Sequence, residues 1–283
     1  MPVPLGEETV AELLADWFGQ PACSYTDLAR GRTTVCVYLQ SRPDWSTAAR
    51  GALSKALKQI HPKELSAPSL TKLRREDWAE SWKKHFKPIT IGGRLLILPS
   101  WSHKRPRAGQ LTVVLDPGMS FGTGQHPTTS FCLAELVRNR RPGQPQSFLD
   151  VGTGSGILAV CAAKLGYEPI RALDLDSTAV ANARDNARAN GVADKITFQR
   201  RDLASLPAAG SKKYSVVCAN LLADLLLLHR DRLAALVQGG GTLAVAGVLK
   251  TEFEVVLEAY QGAGLRLLRS GSRGEWRSGS FRK

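Results

Sequence analysis

Between Phe148 and Asp176 the chain reads FLDVGTGSGILAVCAAKLGYEPIRALDLD, and no other stretch narrows the possible folds as much. A short apolar run, Phe148-Leu149, ends on Asp150 and Val151. The glycine-rich turn Gly152-Thr153-Gly154-Ser155-Gly156 follows, and a helical pattern runs from Ile157 to Leu165. A second apolar run, Ile170 to Leu173, ends on the acids Asp174 and Asp176. Strand, glycine turn, helix, strand and terminal acid make the first half of a nucleotide-binding βαβ unit. The glycines let backbone approach a ligand where a Cβ would collide, and they reach turn conformations closed to other residues. An acid at the end of the second strand can accept both hydrogen bonds of a ribose diol.

The turn alone leaves its ligand open. Dinucleotide enzymes seat a pyrophosphate on G-x-G-x-x-G, but here the sixth position is Ile157 and the third glycine comes early, at Gly156. A G-x-G-x-G turn suits a ligand that packs an amino-acid tail against backbone, as S-adenosylmethionine does; NAD and a purely structural turn are the alternatives. Asp174 ends its strand at the carboxyl edge, where open α/β sheets bind ligands. Asp176 stands closer to the next helix and suits a capping role. Asp202, after the third strand, is either an acceptor for an adenine amino group or a surface acid.

Asn220 follows the run Val216-Val217-Cys218-Ala219 and so emerges at the same edge. Its side-chain oxygen and nearby carbonyls can accept hydrogen bonds from an incoming amine; the competing role is a cap for a helix from Leu221. Methyl transfer to nitrogen is an in-line displacement that needs a free lone pair, and an unperturbed lysine titrates near ~10.4. A dry site with neutral acceptors favours the uncharged amine and aims it. His126 can take up a proton, since imidazole titrates near neutrality, or it is a structural loop histidine. No metal-ligand spacing, phosphate-cradling G-x-x-x-x-G-K-[ST] loop or G-x-S-x-G elbow occurs.

The remaining chain supplies context. At 283 residues and 43% hydrophobic, it can form one large domain or two unequal ones with a buried core. No apolar run approaches the roughly 20 residues that cross a bilayer, and MPVPLGEETV lacks the basic-then-apolar order of a secretory signal. The cysteines Cys23, Cys36, Cys132, Cys161 and Cys218 are widely separated in apolar surroundings, as buried reduced thiols are. The expectation is a soluble cytoplasmic protein. A formal charge of +13 could steer it to RNA or a ribosomal complex, or be a solvated basic surface. Charge alone selects no partner.

Taken in order, Thr9 to Phe18 is an amphipathic helix with Val10, Leu13, Leu14, Trp17 and Phe18 on one face. Two strand runs follow, the second over Thr33–Leu39, then a helix over Asp44–Ile60 and a short strand near Ser69–Leu73. This α-β-β-α-β order suits a small α+β sandwich. Arg74 to Phe86 is a polar helix with one stripe, Trp78, Trp82 and Phe86, fit to join two domains. Strands at Pro88–Ile91 and Leu95–Pro99 precede a loop from Asp116 to Thr129 so rich in glycine, proline and hydroxyls that it reads as a ligand-facing lid. Thr128 or Thr129 can cap a helix over Phe131–Val137. Beyond Asp176, α/β alternation continues through a helix over Thr178–Asn190, strands at Ile196–Gln199 and Tyr214–Ala219, a helix over Leu225–Val237, a strand at Thr242–Val248, a helix over Thr251–Ala263 and a closing strand pair. The strand at Tyr214–Ala219 is apolar enough to be central and parallel. The fold class is α/β, a doubly wound sheet carrying a small N-terminal domain.

On these segments the chain resembles the methyltransferase family of large-subunit ribosomal protein number eleven. DPGMSFGTGQHPTT, LDVGTGSGILA, LDLD and ANLLA occur in that family's order; EDWAESWKKHFKPI resembles its interdomain segment, and GEW at Gly274–Trp276 its terminal strand. The resemblance implies a class I methyltransferase domain with a seven-stranded sheet and one antiparallel strand, S-adenosylmethionine as donor, and N-methylation of lysine side chains and the terminal amine of the ribosomal protein. It implies donor contacts at Thr129, Gly152, Asp174 and Asn220; the residues themselves add Gly154 and the loop residues Phe121 and Gly122 at the donor, Asn220 and His126 in catalysis, and no metal. It implies a ferredoxin-like substrate-recognition domain over residues 1–73, a linker helix over 74–88 and the methyltransferase domain over 89–283. Only Pro2–Leu5 is left here for that domain's first strand, and Thr153 stands where Cys is common. The expected partner is the ribosomal protein, with no membrane, no direct nucleic acid and a monomeric enzyme. The rival readings are methylation of another protein or of RNA, and a non-catalytic ribosomal-protein-binding module. Leu221-Leu222-Ala223 lacks the proline and aromatic residue that would stack a flipped base.

Overall fold

A computed structural model describes residues 6–20, 22–27, 32–39, 43, 45–60, 65–71, 87–116, 126–206 and 212–283. The chain divides into two units, Met1–Ala79 and Glu80–Lys283.

In the first unit, helix α1 (Gly6–Phe18) precedes an antiparallel hairpin, β1 (Ala22–Asp27) and β2 (Arg32–Val37), and then helix α2 (Thr47–Ile60). Apolar residues at helical spacing bring Val10 against Leu53 and Leu57, with Leu13, Leu14, Phe18, Val35 and Trp45 packed around them. Trp17, expected on the same stripe, is 45% exposed. The strand expected near Ser69–Leu73 is absent over Ser69–Thr71, which carry no regular structure. Lys72 and Leu73, residues 1–5, and the segment with Trp78, Trp82 and Phe86 lie outside the described residues.

The second unit is built on a seven-stranded sheet of β6 (Phe148–Val151), β7 (Ile170–Asp174), β8 (Ile196–Arg200), β9 (Tyr214–Asn220), β10 (Val237–Leu249), β11 (Arg266–Arg273) and β12 (Trp276–Arg282). Across the sheet the order is β11-β12-β10-β9-β6-β7-β8. Only β12 runs against its neighbours, pairing antiparallel with both β10 and β11. The chain winds outward from β6 to β8, returns to β9 and winds the other way, so the order reverses between β6 and β9.

Side chains alternate along each strand, and both faces are buried. Phe148, Ile170, Val216 and Ala244 face helices α3 (Pro127–Asn139), α4 (Ile157–Leu165) and α5 (Ser177–Ala189). Their neighbours Leu149, Val217, Leu243 and Val245 share the opposite core with α6 (Ala223–Leu228), α7 (Arg230–Leu236) and α8 (Phe253–Gly262). The single helix expected over Leu225–Val237 is thus two, parted at His229, whose φ −108 and ψ 16 leave the helical region. A smaller sheet of β3 (Ile89–Ile91), β4 (Leu95–Leu98) and β5 (Leu111–Val114) adds Leu95, Ile97 and Val113 to the first core. The Asn190 side chain at the end of α5 holds β5, accepting from the N–H of Val114 at 2.8 Å and donating to its carbonyl at 2.7 Å.

Candidate functional site

β6, β7 and β9 are adjacent and parallel, so their carboxyl ends open on one edge. There the Gly152–Gly156 turn runs into α4 with positive φ at Gly152 (+72°), Gly154 (+53°) and Gly156 (+79°). A Cβ on Gly156 would lie 2.9 Å from the Cα of Ala183 on α5, and one on Gly152 would lie 2.5 Å from Leu221. The first glycine admits the segment after β9 to the turn, and the third lets two helices touch. Leu173 O accepts from the N–H groups of Gly152 and Thr153, both at 2.9 Å, which seats the turn on the end of β7. Asn186 on α5 braces it by donating to Ser155 O at 2.7 Å.

Asp174 ends β7 directly beside the turn. Its Oδ2 accepts from the N–H of Gly154 at 2.9 Å and its Oδ1 from that of Asp176 at 3.1 Å. Each oxygen keeps a further lone pair, and the carboxylate remains partly exposed. Asp176 accepts from Thr178 N at 2.8 Å and caps α5, the role expected of it. Asp202 is exposed, and its Oδ1 accepts from Ala204 N at 2.8 Å in a local turn.

Asn220, the last residue of β9, pairs with Ala246 of β10. It does not cap the next helix, which begins at Ala223 after Leu222. Its Nδ2 instead points to Thr129 Oγ1 at 3.5 Å, the outer limit of a hydrogen bond. Thr129 is 1% exposed and lies inside the first turn of α3, whose cap position is His126 followed by Pro127. The expected threonine cap is therefore incorrect. A proline at the first helical position has its φ preset and lacks the N–H that would need a partner, so the helix starts before the threonines. His126 Nδ1 sits 2.7 Å from Thr128 Oγ1, and its ring meets that of Trp276 edge-on at 5.1 Å. Burial pulls the His126 pKa below the usual imidazole value, against an opposing pull from Glu275.

The structure thus gathers Gly152, Gly154, Asp174, Asn220 and Thr129 at one edge, with His126 at the head of the helix that carries Thr129. Phe121 and Gly122 lie outside the described residues. Asp150 was missed as a contributor. It is 1% exposed; its Oδ2 accepts from the Thr153 hydroxyl at 2.7 Å, and it accepts from the backbone N–H of Ala159 in the first turn of α4. Gly156 at the cap of α4 has no side chain to satisfy that turn, so the strand acid does so. Burial pushes its carboxyl up to about 7, and its Oδ1 has no partner among the described residues. An acid inside an otherwise apolar strand was the available signal. Among the described residues no cluster of His, Cys, Asp and Glu could hold a metal ion.

Comparison with known proteins points to one family. A family model described as ribosomal protein L11 methyltransferase (PrmA) matches residues 10–283. The ribosomal protein L11 methyltransferase of Trichlorobacter lovleyi is 37% identical over 292 residues, covering 98% of this chain and 94% of that one. The protein of the same name from Citrifermentans bemidjiense is 43% identical over 220 residues, covering 76% and 70%. The crystal structure of ribosomal protein L11 methylase from Lactobacillus delbrueckii subsp. bulgaricus superposes with a TM-score of 0.62 at 29% identity, covering 70% of this chain and 99% of that one.

Proposed function

The chain belongs to the ribosomal protein L11 methyltransferase family, and we propose that it N-methylates lysine side chains and the terminal amine of that ribosomal protein at the edge formed by β6, β7 and β9. It is a methyltransferase whose donor is S-adenosylmethionine and whose substrate is ribosomal protein L11. The observation that carries the site assignment is the convergence of Gly152, Asp174 and Asn220 on three adjacent parallel strand ends.

The residues fit the donor. Asp174 spends one lone pair of each oxygen on backbone N–H groups and has others for a vicinal diol. The turn presents backbone rather than side chains, as an amino-acid tail requires. Bound S-adenosylmethionine supplies an electrophilic methyl group on a sulfonium. The protein's part is to place an uncharged amine in line with it. With Nδ2 turned to Thr129, the remaining polar atom of the Asn220 amide is Oδ1, an acceptor for an amine N–H. A neutral acceptor orients the lone pair without stabilising the ammonium form, as a carboxylate would. His126, kept neutral by burial and fixed by Thr128, is suited to accept the proton the amine releases.

Residues 1–73 serve as the grip on the ribosomal protein, with 74–88 as the link between the domains. The enzyme works as a cytoplasmic monomer and needs no nucleic acid; no helix among the described residues is long and apolar enough to cross a membrane. Incubation of purified ribosomal protein L11 with the enzyme and donor, followed by intact-mass and peptide mass spectrometry, tests the proposal. Methyl increments on lysines and on the terminal amine are expected; increments elsewhere, or none, would overturn it.

A further inference from the structure

A groove of about 370 Å³ lies on the second unit, away from the glycine turn, between the outer side of α3 and the edge strand β11. The helix contributes Pro127, Phe131, Ala134 and Arg138, positions three to four apart that share one face. The strand contributes every residue from Arg269 to Arg273, so the groove reaches its backbone as well as alternate side chains. From Pro127 to Arg138 the helix rises about 16 Å, room for roughly five residues of extended chain. One mouth is Trp276, whose ring touches His126. The groove therefore starts beside the residues assigned to the amine and leads away from them.

Its charge is one-sided. Arg138, Arg269 and Arg273 line it and no described carboxylate does; Glu135, fully buried, lies beneath Arg138 and Arg269. Glu135 accepts from Arg269 at 3.1 Å on each oxygen and from Arg138 at 2.9 Å, so one buried acid is shared by two of the three lining guanidinium groups, while Glu275 stands near the Trp276 mouth, where it acts on His126. Arg273 is exposed and makes no ion pair among the described residues. Among the described residues β11 is the last strand of its sheet, so one row of its backbone donors and acceptors has no strand partner there. Both aromatic rings are already engaged. Phe131 packs so closely on Gly271 that a Cβ would stand 3.3 Å away, and Trp276 is met by His126. Guanidinium groups and an open strand edge suit an acidic peptide.

We propose that the groove between α3 and β11 docks an extended, acidic segment of the protein substrate, anchoring it while the amine is presented at Asn220. This rests on the assignment of ribosomal protein L11 as substrate.

The test uses the full-length enzyme, ribosomal protein L11 and donor, with two variants. Arg273→Glu reverses the unpaired charge at the rim, and Ala134→Trp fills the groove from the helix side. Each is expected to raise the KM and the Kd for the ribosomal protein about tenfold, about 1.4 kcal/mol, with kcat at saturation and the Kd for the donor unchanged. The wild-type KM should rise with salt, and that of Arg273→Glu should rise less. Unchanged Kd for the ribosomal protein in both folded variants would overturn the groove, as would a photo-crosslinker at Ser272 that, with ribosomal RNA added to the mixture, captures the RNA in place of protein. Should the wild type bind the ribosomal protein without methylating it, while both variants lose binding, the assigned reaction fails and the groove stands.

Discussion

The side-chain amide of Asn220 at the end of β9 and the hydroxyl of Thr129 in the first turn of α3 face each other at 3.5 Å. This contact joins the two elements that border the proposed amine position and turns Oδ1 of Asn220 away from Thr129. Asn220→Ala should lower kcat by roughly 10²-fold, the scale of losing one preorganised polar group, with little change in donor affinity. Asn220→Asp keeps the shape but adds a charge that favours the ammonium form. Its pH–rate profile should therefore shift to higher pH than that of the wild type. An unshifted profile would count against an amine at this position.

Asp174→Ala should weaken donor binding by about a hundredfold, because charge-assisted hydrogen bonds are worth ~1.5–3 kcal/mol each. Asp174→Asn retains an acceptor for the N–H of Gly154 and should lose less. Calorimetry with S-adenosylmethionine reads both, and wild-type affinity in the alanine variant would remove Asp174 from the donor site.

Asp150 makes stability depend on pH. Its carboxyl titrates at about 7 in the folded protein, well above the ordinary value of 3.8. A raised pKa means that the folded state binds the proton more tightly than the unfolded one. The contribution is therefore fully present below about pH 4 and is lost as pH rises through about 7, by roughly 4 kcal/mol at most. Urea unfolding should show the wild type losing stability across that window relative to Asp150→Asn. Parallel curves for the two proteins would refute the assignment.

Gly156→Ala should destabilise by about 2–5 kcal/mol, combining left-handed backbone strain with a contact below 3 Å to α5. The melting temperature should fall on the order of 10 °C. Gly191→Ala is the control. Its φ is +65° but nothing lies within 4 Å of the added carbon, so only the backbone term, about 1–2 kcal/mol, should appear.

Deleting the residues before Arg74 should leave donor binding intact and abolish methylation of the ribosomal protein. Full activity in the truncated protein, followed by mass spectrometry, would show that residues 1–73 are not the substrate grip.

What could be read from the sequence was local. The Gly152–Gly156 spacing, the apolar runs stopping at Asp174 and Asn220, and the cap at Asp176 each lie within a few residues of their structural cause. Contacts across the fold were hidden. Asp150 meets Ala159 only once α4 has folded back on β6, and His126 meets Trp276 only when β12 inserts beside β10. β5 went unseen because Leu111 to Val114, although rich in β-branched residues, is a run of only four and is extended by its pairing with β4. The break at His229 has no glycine or proline to mark it. The start of α3 was legible and misjudged, since Pro127 signals a helix one step ahead of the threonines.

The three strand ends also act as a gauge. β9, β6 and β7 lie side by side, so Asn220, Gly152 and Asp174 are separated by strand spacings, about 4.8 Å each and about 10 Å in all. Main-chain hydrogen bonding sets that width, and no exchange of surface side chains can alter it. A slip of one residue in β9 would move Asn220 about 3.3 Å and turn it to the other face of the sheet. If the donor lies along these three ends as proposed, its length is matched to a spacing that main-chain pairing fixes.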